Sequence, residues 1–172
     1  MTKVQSDDVL QYLTFEENNE VFGIDIHCIK EVLGIREITN LPCSNAFMRG
    51  VINLRGQVVP VIDLKTKFGF EPTDFTVDTC IIILELERQG GKVTLLGALT
   101  DSVRDVIDLL QEDVSPPPEV GASVDSAFIY GIGKFNGEFF VILDAHKLCA
   151  HEELSDITIT PGSVAVETQP LS

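Results

Sequence analysis

The side chains best suited to chemistry in this sequence are three histidines and four cysteines. They are His27, His146, His151, Cys28, Cys43, Cys80 and Cys149. The histidines lack the HExxH spacing of zinc proteases, and the cysteines occur singly with no CxxC pair. Each cysteine has apolar neighbours, as a small buried thiol would. The sequence therefore predicts neither a metal site nor a disulfide framework.

Motifs for nucleophilic catalysis or phosphate binding are also missing. There is no GxSxG elbow, and the pair Gly91-Lys92 lacks the upstream glycine of a phosphate-binding loop. The acidic residues are numerous but scattered, and scattered carboxylates are a surface property until two of them meet in a cleft. We therefore expect no enzymatic activity and no cofactor.

The charge balance limits the partners that the chain can bind. Its 172 residues include 12 basic and 27 acidic ones, which gives a formal net charge of −15. This charge repels nucleic acid and anionic membrane surfaces, and it makes any exposed arginine conspicuous. The N-terminus lacks a signal-peptide pattern, and the apolar runs are far too short for a membrane span. We expect a cytoplasmic protein without direct membrane insertion.

The elements that would position any site are mostly β-strands. Apolar runs of strand length occur at residues 9–15, 21–26, 57–64, 79–86, 92–99, 128–132 and 138–143. Turn-forming residues at 17–20, 55–56, 89–91 and 136–137 predict hairpins. Helix signals are short: Asp63 precedes one turn, and Asp144 precedes a helix predicted over residues 145–154.

An internal repeat organises these elements. Residues 47–63 align without gaps on residues 128–144, with identities at Phe47/Phe128, Gly50/Gly131, Gly56/Gly137 and Asp63/Asp144. Residues 22–25 and 29–32 also align on residues 96–99 and 103–106. The repeat predicts two related small β-barrels packed into one unit. Residues 155–172 have few large apolar side chains and no clear period, so we expect a flexible tail.

Several segments carry a resemblance to a known family. They are residues 11–15, 21–26 and 29–32, then 40–42, and then the most specific stretch, residues 47–64 (FMRGVINLRGQVVPVIDL). The second half fits too, at residues 97–106, the proline-rich loop and residues 130–148. On these motifs the chain resembles CheW chemotaxis coupling proteins over about residues 8–150.

The resemblance implies an all-β domain of two SH3-like, five-stranded barrels with short helices, one of them near the C-terminus. We place the first barrel at about residues 17–80 and the second at about residues 9–16 plus 81–150. The implied function is that of an adaptor in chemotaxis signalling. Such an adaptor binds the regulatory domain of a CheA-type histidine kinase and the cytoplasmic hairpin tip of chemoreceptors, and it is recruited from the cytoplasm to receptor arrays.

Arg55 is the strongest single candidate for a functional residue. It stands beside Gly56 at a hairpin apex where the repeat has Asn136, so the fold does not require arginine. The resemblance implies that Arg55, with Asn53 and Gly56, takes part in kinase and receptor coupling. The alternatives are a solvated turn arginine and an Asn53 that hydrogen-bonds within its own hairpin.

The resemblance also implies a receptor-binding groove between the barrels. Its residues would be Ile29, Glu31, Val32, Arg49, Val103 and Val106, which would receive an amphipathic helical tip. For the apolar members the alternative is plain core packing, and for Glu31 it is a solvated face. Gly50 would permit close packing beneath the site, and Val120 is a candidate for a second kinase contact.

Two other functions remain open from the residues. One is a CheW-like adaptor of another chemosensory pathway, such as pilus motility. The other belongs to a different class, a small-molecule-binding β-barrel or an uncharacterised hydrolase. A deep pocket with paired, perturbed carboxylates would favour the second, whereas a shallow apolar groove would favour an adaptor.

Overall fold

The computed structural model describes residues 9–40, 46–117 and 126–148, most of them in β-strands. The strands are β1 (Val9–Glu17), β2 (Glu20–Asp25), β3 (Ile29–Gly34), β4 (Met48–Leu54), β5 (Gln57–Asp63), β6 (Cys80–Glu87), β7 (Val93–Thr100), β8 (Ser102–Leu110), β9 (Val114–Ser115), β10 (Ile129–Phe135) and β11 (Glu138–Leu143). All seven predicted runs overlap a strand, so the prediction of a mainly β chain is confirmed. The strands β3, β4, β8 and β9 were not among those runs.

The α-helices of the described residues are single turns, α1 (Leu64–Lys67) after β5 and α2 (Ala145–Leu148) after β11. Short 3₁₀ turns lie at Ile26–Cys28, Gln89–Gly91, Gln111–Asp113 and Ser126–Phe128. Asp63 caps α1 with a carboxylate oxygen that accepts from Lys65 N, and Asp144 caps α2 through His146 N. Residues 149–154 of the helix predicted from 145, and the predicted tail, lie outside the described residues. Within the described ranges, no helix is long and apolar enough to cross a membrane.

The strands form two sheets. A five-stranded sheet has the order β3-β6-β7-β5-β4, and a six-stranded sheet has the order β8-β1-β2-β11-β10-β9. Neighbouring strands are antiparallel except β5 with β7 and β2 with β11, which are parallel. The two sheets correspond to the two predicted barrels, and the predicted fold class is confirmed.

The predicted repeat relates one sheet to the other. Strands β1–β5 of the first repeat correspond, in that order, to β6, β7, β8, β10 and β11 of the second. When each strand is replaced by its counterpart, the order β3-β6-β7-β5-β4 becomes β8-β1-β2-β11-β10, which is the order of the first five strands of the six-stranded sheet. Equivalent irregularities fall at equivalent places, since the register of β4 with β5 shifts between Met48 and Gly50, and that of β10 with β11 shifts between Ile129 and Gly131. The main chain thus repeats in detail.

The sheet membership differs from the predicted division of the barrels. Strand β2, placed in the first barrel, belongs to the six-stranded sheet, while β6 and β7, placed in the second, belong to the five-stranded sheet. The reason is that the first hairpin of each repeat inserts between the third strand and the last hairpin of the other repeat. The two halves therefore exchange hairpins.

Three hydrophobic clusters hold the sheets together. One lies within the five-stranded sheet and another within the six-stranded sheet, and a larger central core takes residues from both sheets. Strand β6 shows why its sequence is apolar on both faces: Ile81 and Ile83 enter the five-stranded cluster, while Ile82 and Leu84 enter the central core. The central core fixes how the two sheets face each other.

One ionisable group is buried at the end of β1. Glu17 is 0% exposed, and neither of its carboxyl oxygens has a hydrogen-bond partner. Burial, together with the neighbouring charges of Asp101 and Asp63, raises the pKa of Glu17 to about 9. The side chain is therefore neutral at pH 7.

Candidate binding surface around strand β3 and the Arg55 turn

Arg55 occupies a backbone conformation that arginine rarely adopts. It has φ 52° and Gly56 has φ 86°, the left-handed pair of a tight two-residue hairpin turn. The equivalent turn of the second repeat has Asn136 at φ 54°, and the β1–β2 turn has Asn18 at φ 55°. Asparagine tolerates this conformation well, whereas arginine has no conformational reason to be there. The turn does not explain Arg55.

Asn53 and Gly56 build the turn that presents Arg55. The Gly56 N–H donates to Asn53 Oδ1 at 2.7 Å, so the asparagine makes the hydrogen bond within its own hairpin that was one of the two alternatives. Gly56 supplies the positive φ, and a Cβ added to it would meet no other atom. Both residues therefore support the apex.

The Arg55 side chain crosses from this turn to strand β3. Its Nη1 and Nη2 donate to the two carboxylate oxygens of Glu31, with an Nη1–Oε1 distance of 3.5 Å. The pair stays accessible, since 64% of the Arg55 side chain and 27% of the Glu31 side chain are exposed. Exposed ion pairs contribute little to stability, so this one is a poor candidate for a structural element.

The ion pair concentrates charge at one place on the surface. The hydrogen bond from Arg55 holds the pKa of Glu31 below its ordinary value, and the same contact raises the pKa of Arg55. The positive charges of Lys30 and Arg36 also lower the pKa of Glu31. In a chain with a net charge of −15, three basic residues around one glutamate form an unusual basic region.

The predicted apolar residues border the central core on equivalent strands. Ile29 and Val103 are half-buried and pack against that core. Val32 lies opposite Ile82 and Val106 lies opposite Leu13, and both partners belong to the central core. Val32 and Val106 are nevertheless 39% and 49% exposed. Each sheet thus contributes one exposed valine at the margin of the core that joins them.

Arg49 does not join this surface. Its Nη1 donates to Asp63 Oδ2 at 2.8 Å and to the Thr73 carbonyl at 3.3 Å, and its guanidinium lies 4.9 Å from the centre of the Phe75 ring. Asp63 is fully buried and also accepts from the main-chain N–H and the hydroxyl of Thr73. Arg49 therefore fixes the loop that follows α1. This position differs from the one predicted for Arg49, in the receptor-binding groove.

Sequence reasoning missed that buried network. Arg49 and Asp63 are 14 residues apart, yet the register shift of β4 and β5 brings their ends together, with Asp63 N donating to the Phe47 carbonyl at 2.7 Å. The sequence predicted Asp63 only as a helix cap. It also gave no indication that Arg55 pairs with Glu31. Val120 lies outside the described residues. The described residues contain no group of three metal-ligating side chains.

The close packing predicted at Gly50 is present. Gly50 has φ 142°, and a Cβ there would overlap the Thr39 carbonyl, because Thr39 and Val51 exchange backbone hydrogen bonds of 2.8 Å. Gly131 meets the Ser115 carbonyl in the same way in the other repeat. These glycines bring a neighbouring segment against the hairpin in both halves of the molecule.

The fold and the surface together define a β protein of two intertwined repeats with an exposed ion pair at one hairpin apex. The chain belongs to the CheW-like domain family, whose model matches residues 11–153. The family predicted from the motifs is thus confirmed.

Curated relatives and a solved structure agree with this assignment. The chain is 31% identical over 145 residues to a chemotaxis protein CheW from Klebsiella aerogenes, covering 84% of each chain. It is 31% identical over 156 residues to one from Treponema pallidum, covering 88% of this chain and 89% of the relative. The crystal structure of the scaffolding protein TtCheW from Thermoanaerobacter tengcongensis superposes with a TM-score of 0.73 at 35% identity, over 82% of this chain and 92% of that one.

Proposed function

We propose that this protein is a chemotaxis adaptor that couples chemoreceptors to a CheA-type histidine kinase. The observation that carries the proposal is its likeness, over more than four-fifths of its length, to proteins named chemotaxis protein CheW and to a CheW scaffold of the same fold. The adaptor acts by binding both partners, without a reaction of its own. It works in the cytoplasm, at the receptor arrays to which it is recruited.

The receptor-binding surface consists of the exposed margin of the central core. Val32 and Val106 provide apolar contacts from the two sheets, with Ile29 and Val103 beneath them. Glu31 precedes Val32 in the chain and lies on the other face of β3, opposite Ile83. An amphipathic helical hairpin would place its apolar residues along such a margin. Arg49 is left out of this proposed surface because Asp63 already binds its guanidinium.

Arg55 is the proposed coupling residue. The Arg55 side chain is mostly exposed, and Glu31 contacts the edge of its guanidinium that carries Nη1 and Nη2. A planar guanidinium can bind a second carboxylate with well-directed hydrogen bonds, which is why arginine often dominates interface energies. Such a contact explains why this hairpin turn has arginine where the equivalent turn has asparagine, since the backbone conformation does not require arginine.

The test is reconstitution of the signalling complex from this protein, a CheA-type kinase and a receptor cytoplasmic fragment. Arg55→Asn keeps the turn and should weaken coupling by about 2 kcal/mol, measured by pull-down and by kinase activation. Asn136→Ala changes the equivalent turn of the other repeat and serves as the matched control. Full activation by Arg55→Asn would reject the role of Arg55, and no activation by the unmodified protein would reject the proposed function.

A further inference from the structure

A shallow depression lies next to the Arg55 turn, where the chain leaves β3. It has a volume of about 490 Å³ and is lined by Gly34, Ile35, Arg36, Glu37, Thr39 and Asn53. The paired backbone hydrogen bonds between Thr39 and Val51 hold its wall in place. The close approach that Gly50 allows makes this pairing possible. The depression is therefore a fixed feature of the five-stranded sheet.

Hydrogen-bond donors predominate around this depression. Arg36 is exposed and, within the described part of the chain, makes no ion pair or hydrogen bond. The Asn53 side chain uses Oδ1 for the Gly56 N–H, which leaves its Nδ2 donor for another group. Glu37 is the one acidic residue in the lining. An unpaired guanidinium beside a free amide donor favours a carboxylate as the ligand.

The shape of the depression points to a side chain of a protein partner. Pockets for small molecules are mostly apolar and enclose their ligands, whereas this depression is shallow and its lining is largely polar. It also continues the proposed receptor surface, because exposed Val32 and Ile35 lead along the chain directly to Arg36.

We propose that Arg36, with Asn53 and Thr39, forms a subsite that binds an acidic side chain of the chemoreceptor hairpin tip. The inference rests on the proposed function and extends it, because it adds a basic contact to the exposed valines of that surface. Val32 and Ile35 supply the apolar contacts, and Arg36 fixes the position of the helix along β3. The net charge of −15 makes this basic site selective, since acidic partners are repelled elsewhere on the surface.

The experiment measures binding of a soluble receptor cytoplasmic fragment to the full chain by calorimetry. Arg36→Gln should weaken binding about tenfold, with a smaller difference at high salt, because one exposed charged contact is lost. Lys92→Gln removes the same charge from the exposed β6–β7 turn and should leave binding unchanged. Equal affinities of Arg36→Gln and the unmodified protein, or equal losses in both variants, would overturn the subsite.

A second measurement identifies the acidic partner residue. Each exposed acidic residue of the receptor tip is changed to glutamine in turn, and every variant is paired with Arg36→Gln in a double-mutant cycle. One receptor residue should show non-additive losses with Arg36, and strictly additive losses at every position would contradict the proposal. If the unmodified protein does not bind the fragment at all, the proposed receptor-binding function fails first, which separates the two outcomes.

Discussion

The hairpins β4–β5 and β10–β11 share one backbone and differ in their side chains. Both have a register shift before a glycine, both turn through a left-handed pair with glycine second, and both end in an aspartate that caps a helix. Yet the first carries Arg49 and Arg55 where the second carries Tyr130 and Asn136. The shared residues are those that the fold requires. Of these two arginines, Arg49 makes a structural contact with Asp63, and Arg55 is the residue proposed for coupling.

The largest difference between the hairpins should come from their aspartates. Asp63→Ala removes the acceptor of Arg49 and of two Thr73 groups in a buried site. Among the described residues, the side-chain hydrogen bonds that Asp144→Ala removes are those of the helix cap. We expect a loss in unfolding free energy of about 3–4 kcal/mol for Asp63→Ala, against about 1 kcal/mol for Asp144→Ala. Urea unfolding followed by circular dichroism measures both, and equal losses would contradict the contrast.

The two repeats also differ at one buried position, which is Glu17 in the first and Leu86 in the second. Phe15 lies opposite Phe22 in the first repeat, and Leu84 lies opposite Leu96 at the equivalent place in the second. Glu17 and Leu86 each follow two residues later, so they occupy equivalent positions. The raised pKa of about 9 means that the folded state holds a proton that the unfolded carboxyl releases near pH 4.5. The contribution of Glu17 to stability is therefore complete below about pH 4.5 and is lost as the pH rises towards 9.

The measurement compares the unfolding free energy of the unmodified protein with that of Glu17→Gln from pH 4.5 to pH 9. The unmodified protein should lose roughly 3 kcal/mol relative to the variant between pH 4.5 and pH 7, since each unit of pKa difference contributes about 1.4 kcal/mol. Glu17→Leu imitates the other repeat and should lack the same pH dependence. Parallel pH curves for the unmodified protein and Glu17→Gln would show that the carboxyl is solvated.

The smallest effect is expected at the two apices. Arg55→Asn should raise the unfolding free energy by about 0.5 kcal/mol and Asn136→Arg should lower it by a similar amount, because asparagine accepts a positive φ more readily. Thermal unfolding of the two variants and of the double exchange tests this. A destabilised Arg55→Asn would mean that the ion pair with Glu31 supports the fold.

Local features of this fold could be predicted because each has a local cause. The turns at Asn18, Gly56 and Asn136 were found because positive φ restricts the residue types. Asp63 and Asp144 were found because few residue types cap a helix. The repeat followed from the spacing of matched residues, and the family followed from a resemblance in the motifs, above all residues 47–64. Strand β8 was missed because a bulge at Arg104 and Asp105, opposite Thr14, interrupts its apolar period.

Pairings distant in sequence could not be predicted. The contacts of Arg49 with Asp63 and of Arg55 with Glu31 join charged residues that look like independent surface groups in the sequence. The hairpin exchange was missed for a related reason: alternating apolar residues show that a strand has two faces but do not show which strand lies beside it. These pairings depend on how the two repeats meet.

The hairpin exchange has a consequence for how the molecule is assembled. If the chain were cut between α1 and β6, the first piece would hold β3–β5 without the β6–β7 hairpin that separates β3 from β5. The second piece would hold β8–β11 without the β1–β2 hairpin that joins β8 to β11. Each fragment would thus need its complement to finish a sheet, and folding of the intact chain becomes one concerted event instead of the sum of two.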